Sequence, residues 1–397
     1  MSLNGEFYDF LIKNEIQQFI RDHEYVDINT LLLNPPKLIQ AWKKEILAQI
    51  VARKKCKTKL PLWYQTPNIY YPPPLSVEQS SSAITAHYKG RLVEGHVLHD
   101  LTGGMGVDCM ALATHFNTSY YIEQNKDLCH RFSVNQKLLG QDNINIQHES
   151  AKDALAHINT SDVIYLDPAR RNVDHKKIFQ FDDCTPNIKP LLSELRKKSQ
   201  SIMIKASPMI DLSKGLRDLG SVAEIHIISV RNECKEIVFI LNNESYTAPT
   251  LYCVNLDSLH PPLQGNFTEE KSLSIEYCIP KNIILDPNTS ILKAGLFKTI
   301  GHHYGLSKIA INTHFYTSDK KLKDFPGRQF EVISSLNKKN IKKLLPARKA
   351  NVITKNYPLS AGELKSQWGL TDGGNYFILG FRNQENEAQC WLTKKID

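Results

Sequence analysis

Between residues 97 and 241, short strand-like runs alternate with helix-length segments, and this alternation constrains the fold more than any other feature of the chain. The strand-like runs are 97–101, 119–122, 143–147, 163–167, 201–206, 223–230 and 236–241. Strands that alternate with helices predict a parallel sheet with helices on both faces. About five residues join the last two runs, too few for a parallel crossover. The sequence therefore predicts a doubly wound α/β sheet of seven strands with a reversed last strand.

The segments on either side of this sheet predict further regions. Residues 1–60 place apolar side chains at intervals of three and four, which is typical of helices, and a stretch rich in proline and tyrosine follows at 61–74. Beyond residue 245 we expect strands at 250–254 and 272–277, a helix at 291–303, a strand at 329–333, a basic helix at 338–345, and strands at 376–381 and 389–392. The expected parts are an N-terminal helical region with its linker at 1–75, the sheet domain at 76–245, and two small α+β domains at 246–325 and 326–397.

A glycine-rich turn follows the first predicted strand and leads into a helix. Its glycines are Gly103, Gly104 and Gly106. Glycine suits a turn that needs positive φ or a ligand that approaches the backbone closely. A dinucleotide-binding turn follows the pattern GxGxxG or GxGxxA, and from Gly104 the third small residue is replaced by Cys109. The turn therefore indicates ligand binding but disfavours a dehydrogenase.

Polar residues stand at the carboxyl ends of the predicted strands, the edge at which open α/β sheets bind ligands. Asp100 ends the first strand, and a carboxylate there suits a ligand that carries an amine. Glu123 follows the second strand, where a carboxylate can accept hydrogen bonds from both hydroxyls of a ribose. Ser150 and Ala151 follow the third strand, beside an adenine-sized slot, and Asp167 follows the fourth.

This assembly resembles the class I S-adenosylmethionine-dependent methyltransferases, which have a Rossmann-like sheet. In that family the turn that here runs from Asp100 through Thr102 to Gly106 lies under the methionine part of the cofactor. The acid after the second strand, here Glu123, holds the ribose. The resemblance covers about residues 76–245, includes the seven strands with a reversed last one, and implies S-adenosylmethionine as the cofactor.

The resemblance also implies that the segment Asp167-Pro168-Ala169-Arg170 faces the methyl acceptor. Base N-methyltransferases commonly have an aromatic residue at the end of this motif, which stacks on the extruded base. Here Ala169 replaces a second proline and Arg170 replaces the aromatic residue, so stacking would come from Arg170, from Tyr165, or from no residue of the motif. We expect catalytic roles for Asp167, Pro168 and Arg170, with Asp167 orienting the acceptor.

Gln79 has both a functional and a structural interpretation. The run from Ser76 to Gln79 is similar to a Ser/Thr-x-Glu-Gln motif of several RNA methyltransferases, whose residues approach the methionine end of the cofactor. A surface helix capped by Ser76, with Gln79 at its third position, explains the same residues equally well. We include Gln79 among the cofactor-binding candidates.

Three further residues follow the fifth predicted strand or lie between the last two. Lys205 and Asp211 stand on the ligand side and are candidates for substrate contact, although helix capping by Ser207 or Asp211 is the simpler role. Cys234 is the thiol best placed for a nucleophile, because Arg231 and Lys235 are near it, and a small buried hydrophobe is the alternative.

The net charge of +8 is concentrated in two segments. Residues 41–60 contain seven basic residues and one acid, and residues 319–350 contain ten basic residues and three acids. Two concentrated patches favour a polyanion such as nucleic acid, and two solvated faces are the alternative.

The C-terminal part resembles the THUMP-like domain that ends a bacterial group of these methyltransferases. The resemblance lies in residues 325–332, which contain Pro326-Gly327-Arg328, and in the basic segment 338–349. Residues 246–325, including the run 291–295, resemble the ferredoxin-like module that precedes it in that group. THUMP domains bind structured RNA, usually tRNA, so this resemblance implies an RNA partner.

Composition excludes several other classes of protein. No run approaches 18 consecutive apolar residues, so a membrane-spanning helix and a membrane partner are not expected. The first ten residues carry acids and no basic segment, which argues against a secretory signal. The eight cysteines show no CxxC or Cys/His ligand spacing, so we expect no metal site, no disulfide framework and a cytoplasmic location.

Together these features predict a cytoplasmic S-adenosylmethionine-dependent methyltransferase that acts on a base of tRNA or rRNA. Two alternatives stay open: a methyltransferase for a protein or small molecule, and an RNA-binding protein that has lost catalytic activity. The sequence leaves open the methylated atom, the class of RNA and the oligomeric state.

Overall fold

The computed structural model describes residues 3–170 and 181–396. The chain divides into two compact units, the first formed by Met1–Gly220 and Phe239–Glu244, the second by Ser221–Val238 and Ser245–Asp397. None of the helices in the described ranges combines the length and the apolar character that crossing a bilayer requires.

The N-terminal part of the first unit is helical, as the sequence predicts. Its helices are α1 (Leu3–Leu11), α2 (Asn14–Asp22), α3 (Ile28–Leu33), α4 (Lys43–Lys59), α5 (Pro61–Gln65), α6 (Pro74–Gln79) and α7 (Ala83–Gly90), with a 3-10 helix at Lys37–Trp42. Ile46 and Ile50 of α4 pack in one buried cluster with Phe7 and Phe19. Pro61 and Pro74 each begin a helix, where a backbone N–H has no partner to lose. Two prolines of the predicted linker therefore start helices.

The centre of the first unit is a parallel sheet. The strands of this unit are β1 (Gly95–Asp100), β2 (Phe116–Ile122), β3 (Ile144–Gln147), β4 (Ser161–Leu166), β5 (Ala169–Arg170), β6 (Cys184–Thr185) and β7 (Ser199–Ala206). Five of them pair in parallel in the order β3-β2-β1-β4-β7, and β5 and β6 form a separate short pair. These five confirm the first five predicted strands. Parallel pairing brings their carboxyl ends to one edge.

Four helices lie between these parallel strands along the chain, and a fifth follows β7. They are α8 (Val107–Ala113), α9 (Lys126–Leu138), α10 (Ala151–His157), α11 (Leu192–Lys198) and α12 (Leu212–Leu219). Cys109 and Met110 of α8 are buried in a cluster that also contains Tyr121 and Phe132. The residue that departs from the dinucleotide pattern, Cys109, is therefore part of the core.

The second unit contains β8 (Glu224–Val230) and the first part of β9 (Glu233–Asn242), and these two strands are neighbours in one sheet. Arg231 and Asn232 form the two-residue connection, and both have positive φ, 53° and 57°, as a type I′ hairpin turn requires. β9 therefore runs antiparallel to β8, as predicted for the seventh strand.

Two strands exceed the seven that the sequence predicts. β10 (Thr250–Asn255) pairs in parallel with β8, and β11 (Leu263–Gly265) pairs antiparallel with β10. The order of this part is β11-β10-β8-β9. A strand with an uncovered edge leaves backbone groups unpaired, and β10 covers that edge of β8. The predicted count of seven strands is therefore too low.

A second sheet forms the rest of the second unit. Its strands are β12 (Ile283–Pro287), β13 (Ser307–Ala310), β14 (Thr313–Ser318), β15 (Gly327–Leu336), β16 (Asn351–Lys355), β17 (Tyr376–Arg382) and β18 (Ala388–Ile396). The order is β13-β14-β12-β15-β18-β17-β16, antiparallel except between β16 and β17. The helices are α13 (Phe267–Ser272), α14 (Thr289–Ala294), α15 (Phe297–Tyr304), α16 (Ile341–Leu344) and α17 (Ala361–Trp368).

Three predicted elements of this unit differ in the structure. The strand expected at 272–277 does not form; helix α13 ends at Ser272, and Tyr277 makes only an isolated bridge with Lys308. The helix expected at 291–303 is two helices, because Gly295 ends α14 with a left-handed φ of 76°. The basic helix expected at 338–345 is limited to α16.

A buried carboxylate holds three strands of the second sheet together. Asp286 of β12 is 2% exposed. Arg328 of β15 donates from Nε at 3.0 Å and from Nη2 at 2.5 Å to one oxygen of Asp286, and Lys355 of β16 pairs with the other oxygen. Burial lowers the pKa of Lys355, and the charge of Asp286 opposes this change. Asp286 therefore neutralises two cations.

We expect Asp286→Ala to destabilise the second unit by about 3–5 kcal/mol, because it leaves two partly buried cations without their anion. Urea unfolding followed by circular dichroism measures this. The control is Asp319→Ala, which removes a largely exposed partner of Lys281 and should cost less than about 1 kcal/mol. Equal losses in the two variants would contradict the role of Asp286.

Candidate active site at the carboxyl edge of the parallel sheet

The turn between β1 and α8 packs against two stacked aromatic rings. The ring centroids of Tyr121 and Phe132 are 3.9 Å apart. A Cβ on Gly103 would lie 2.3 Å from the ring of Tyr121, and a Cβ on Gly106 would lie 2.1 Å from the ring of Phe132. Gly106 also has a left-handed φ of 83°. Packing at Gly103 and Gly106, and the positive φ of Gly106, therefore require glycine even when no ligand is considered.

Glu123 is attached to this turn by the backbone. One carboxylate oxygen accepts a hydrogen bond from the N–H of Gly104 at 2.9 Å, and the other accepts one from the N–H of Asn125 at 2.7 Å. A carboxylate has about four acceptor positions, so two are left for the hydroxyls of a ligand. Glu123 is half-buried at the carboxyl end of β2, where the sequence predicts it.

Asp100 is buried inside the same edge, with 1% exposure. Its Oδ1 accepts a hydrogen bond from the N–H of Thr102 at 2.9 Å. Burial, and then the charges of Asp108, Asp167 and Glu123, raise the pKa of Asp100 well above its usual range. The carboxyl of Asp100 therefore stabilises the turn through the backbone of Thr102. Its expected contact with an amine of the ligand stays a prediction.

The segment after β4 is joined to the glycine turn through Thr102. The N–H of Asp167 donates to Oγ1 of Thr102 at 2.6 Å. The side chain of Asp167 is 34% exposed and pairs with Nζ of Lys205, at the end of β7. Pro168 is buried and Ala169 is exposed. The side chain of Arg170 lies outside the described residues, so the structure does not locate this predicted catalytic group.

Two charged residues that the sequence does not predict for the site, Lys89 and Asp108, lie with Lys205 behind Asp167. Asp108, in the first turn of α8, accepts hydrogen bonds from Ser81 and from the hydroxyl of Tyr165, each at 2.8 Å. Lys89 of α7 approaches Asp108 at 3.0 Å, and Lys205 approaches it at 3.9 Å. Burial favours a higher pKa for Asp108, but the charges of Lys89 and Lys205 outweigh burial and lower the pKa to about 2. Asp108 is therefore a buried carboxylate anion.

Only a weak sequence signal marks this cluster. Asp108 stands among the apolar residues Val107, Cys109 and Met110 at the start of a helix, which hints at a buried charge that needs a cation. Lys89, which is 0% exposed, lies 19 positions earlier, and no spacing rule connects the two. Tyr165 is buried in the cluster with 1% exposure, which disfavours the alternative in which this ring stacks on a base.

The other cofactor-binding candidates have structural roles in the described fold. Ser150 caps α10, accepting from the N–H of Asp153 at 3.2 Å, and Ala151 is the first residue of that helix. Both follow the carboxyl end of β3, as predicted. Gln79 is the exposed last residue of α6. The helix begins at Pro74, so the alternative in which Ser76 caps it is wrong.

The candidates near β7 and β9 are also located. Asp211 caps α12 by accepting from the N–H of Lys214 at 2.8 Å, and Ser207 accepts from the N–H of Met209 at 3.2 Å. These contacts favour the capping interpretation. Burial raises the pKa of Cys234 to about 11, which disfavours a thiolate nucleophile at neutral pH. Within residues 3–170 and 181–396, no three His, Cys, Asp or Glu side chains are placed to hold a metal ion.

Comparisons with known proteins identify the family. A ferredoxin-like domain family matches residues 284–326, and a THUMP domain-like family matches residues 327–395. A crystal structure of a protein classed as a methyltransferase, from Porphyromonas gingivalis W83, is 31% identical, covers 98% of each chain and superposes with a TM-score of 0.86. The chain belongs to this methyltransferase family.

Two relatives of this methyltransferase specify the cofactor class. They are uncharacterized S-adenosylmethionine-dependent methyltransferases from two strains of Mycobacterium tuberculosis, CDC 1551 and H37Rv. Each is 24% identical over 265 residues, which cover 66% of this chain and 69% of the relative. The enzyme is accordingly an S-adenosylmethionine-dependent methyltransferase.

The residues at the sheet edge fit this cofactor. A Cβ on Gly104 would meet only the carbonyl oxygen of Thr102, at 3.7 Å, so the turn leaves open space beside its backbone. Glu123 borders this space through its bond to Gly104 and keeps acceptor positions for ribose hydroxyls. An open turn beside a carboxylate matches the methionine and ribose parts of the cofactor.

We expect Glu123→Ala to weaken binding of S-adenosylhomocysteine about tenfold or more, because it removes charge-assisted hydrogen bonds to the ribose. Calorimetric titration measures the affinity. Glu123→Gln, which keeps one acceptor oxygen beside Gly104, should bind with intermediate affinity. The matched control is Asp142→Ala, which removes an exposed acid, and wild-type affinity in both Glu123 variants would contradict the assignment.

Proposed function

We propose that this methyltransferase modifies RNA of the tRNA or rRNA class. The observation that carries the proposal is a set of exposed lysines that begins in the ferredoxin-like segment and continues into the THUMP domain-like segment. Residues 319–350 contain eight exposed lysines, which are Lys320, Lys321, Lys323, Lys338, Lys339, Lys342, Lys343 and Lys349. The two arginines there have internal partners, because Arg328 binds Asp286 and Arg348 donates to the carbonyl of Trp368 at 2.6 Å. A dense set of exposed lysines suits the RNA backbone.

The basic segment of the first unit supports the proposal with fewer charges than its sequence suggests. Arg53 approaches Glu24 at 3.5 Å, Lys55 pairs with Glu78, and Lys59 donates to the carbonyl of Val77 at 2.8 Å. These three side chains hold helices of the first unit together.

Two lysines of α4 flank an exposed aromatic ring. Tyr25 is 67% exposed, and the ammonium groups of Lys54 and Lys57 lie 5.2 Å and 5.1 Å from the centre of its ring. Lys54 and Lys57 are themselves exposed. Cations next to an exposed aromatic ring suit the phosphates and bases of single-stranded RNA.

We assign the reacting groups to the sheet edge. S-adenosylmethionine supplies a methyl group that is bonded to a positively charged sulfur. The acceptor atom attacks the methyl carbon in line with the C–S bond, and the sulfur is the leaving group. Glu123, Gly104 and the turn around Thr102 bind and orient the cofactor, with Ser150, Ala151 and Gln79 as further candidates. Asp167, which is partly exposed and bound to the same turn through Thr102, orients the methyl acceptor. Pro168 and Arg170 complete the acceptor side in this proposal.

We also propose a cytoplasmic location. All eight cysteines are free, and six of them are buried. Free thiols in this number suit a reducing compartment.

We expect Asp167→Ala to lower turnover about 100-fold or more, since acid–base and orienting groups contribute on this scale, while affinity for S-adenosylhomocysteine changes only a few fold. Transfer of labelled methyl to unmodified RNA measures turnover. Asp167→Asn, which keeps an acceptor oxygen, should retain more activity than the alanine variant. The assignment is wrong if Asp167→Ala turns over at nearly the wild-type rate.

We expect the double variant Lys54→Gln, Lys57→Gln to bind tRNA more weakly and to reduce the slope of log affinity against log salt by about 1.5. Filter binding at several salt concentrations measures both. Lys55→Gln is the control, because the carboxylate of Glu78 neutralises this lysine, whereas Lys57 donates to the neutral hydroxyl of Tyr25. A slope equal to that of the control would exclude this face from the RNA interface.

A further inference from the structure

The acceptor side of the site contains a cation as well as a carboxylate. Nζ of Lys205 pairs with Oδ2 of Asp167, and the lysine side chain is 11% exposed against 34% for the aspartate. The carboxylate therefore borders solvent while its cation lies behind it. An acceptor atom that approaches Asp167 also enters the field of Lys205.

Lys205 pairs more closely with Asp167 than with Asp108, which has Lys89 as a second cation. Lys89 is 3.0 Å from Oδ1 of Asp108, and Ser81 and Tyr165 donate to Oδ2. Lys205 is 3.9 Å from that Oδ2, farther than its contact with Asp167. The cluster is thus a row of alternating charges, Lys89, Asp108, Lys205 and Asp167, which ends at the sheet edge.

This row favours one class of acceptor atom. A neutral exocyclic amine gains positive charge as it is methylated, which the carboxylate of Asp167 stabilises but the ammonium of Lys205 opposes. A hydroxyl gains negative charge on oxygen as its proton leaves, and the same ammonium stabilises that charge. The carboxylate of Asp167 can accept the hydroxyl proton, while the ammonium of Lys205 stabilises the negative charge on oxygen.

The described part of the acceptor motif also lacks a surface on which a base would stack. Tyr165 is buried against Asp108, Pro168 is buried, and Ala169 is the exposed residue. A base that is extruded for methylation commonly stacks on aromatic or apolar side chains, and residues 165–169 expose no aromatic ring. A ribose hydroxyl is presented along the RNA backbone without extrusion of the base.

We propose that the methyl acceptor is a ribose 2′-hydroxyl of RNA, with Lys205 and Asp167 as the groups that act on it. The new O–C bond forms as the C–S bond breaks, the electron pair of that bond stays on sulfur, and the hydroxyl proton passes to Asp167 and then to water. This inference rests on the proposed RNA function and replaces the base that the sequence analysis expected.

The direct test is the identity of the methylated nucleoside. The full-length wild-type enzyme is incubated with S-adenosylmethionine labelled in the methyl group, together with unmodified tRNA and rRNA transcripts. Digestion to nucleosides and mass spectrometry then locate the label. We expect it in 2′-O-methylnucleosides, with resistance of the adjacent phosphodiester to alkali. Label in a methylated base overturns the proposed acceptor and leaves the RNA function intact.

Variants of Lys205 test its role through charge. Lys205→Met removes the cation with little change in volume, and we expect turnover to fall about 100-fold or more with affinity for S-adenosylhomocysteine unchanged. Lys205→Arg keeps the charge and should recover part of the turnover, which a merely structural role of side-chain length would not predict. Turnover of Lys205→Met near the wild-type rate contradicts the proposal.

The outcomes separate this proposal from the one on which it rests. If S-adenosylhomocysteine binds and no transcript of either class is labelled, the RNA function is rejected and the acceptor with it. If Lys205→Met does not fold, as judged by circular dichroism, the nucleoside assay on the wild-type enzyme still decides the acceptor.

Discussion

The buried charge of Asp108 is the interaction on which the sheet edge depends. Asp108 is 8% exposed and Lys89 is 0% exposed, so both ions have left water and must satisfy each other. The partners of this one carboxylate come from α7, from the residue Ser81, from β4 and from β7. A single anion therefore fixes the helix before the sheet, two of its strands and the lysine beside Asp167. Removing one of these ions would leave a buried charge without its partner, which is strongly destabilising.

The backbone of this edge could be predicted from the sequence, because the patterns that determine it lie close together along the chain. Strand-like runs of apolar residues, a glycine turn and acids at strand ends recur at short spacing, so Glu123 and Asp167 could be located from their neighbours along the chain. The structure places Glu123 where a carboxylate after the second strand was expected. The glycine turn could also be predicted from the sequence. The requirement for glycine at position 103 could not, because it arises from the ring of Tyr121, which only the folded chain brings near.

The charged cluster could not be predicted, because it joins residues that share no period. Lys89, Asp108 and Lys205 stand on three different elements, and nothing in the sequence connects one of these charges to another. Burial is decided by the packing of those elements, and the sign of a charge does not reveal it. The sequence also does not reveal internal partners in the basic segment at 41–60. There Arg53, Lys55 and Lys59 bind groups within the fold. The number of basic residues in the sequence therefore overestimates the number that can bind a partner.

The second sheet has a consequence for the two segments that the ferredoxin-like and THUMP domain-like families match. These segments meet at residues 326 and 327, yet β12 from the first segment pairs along β15 from the second. Asp286 and Arg328 add an ion pair across the same junction. Neither segment has a complete sheet alone, and separating them would uncover two strand edges and a buried charge. The two segments that these families match along the chain therefore share one continuous sheet in the folded protein.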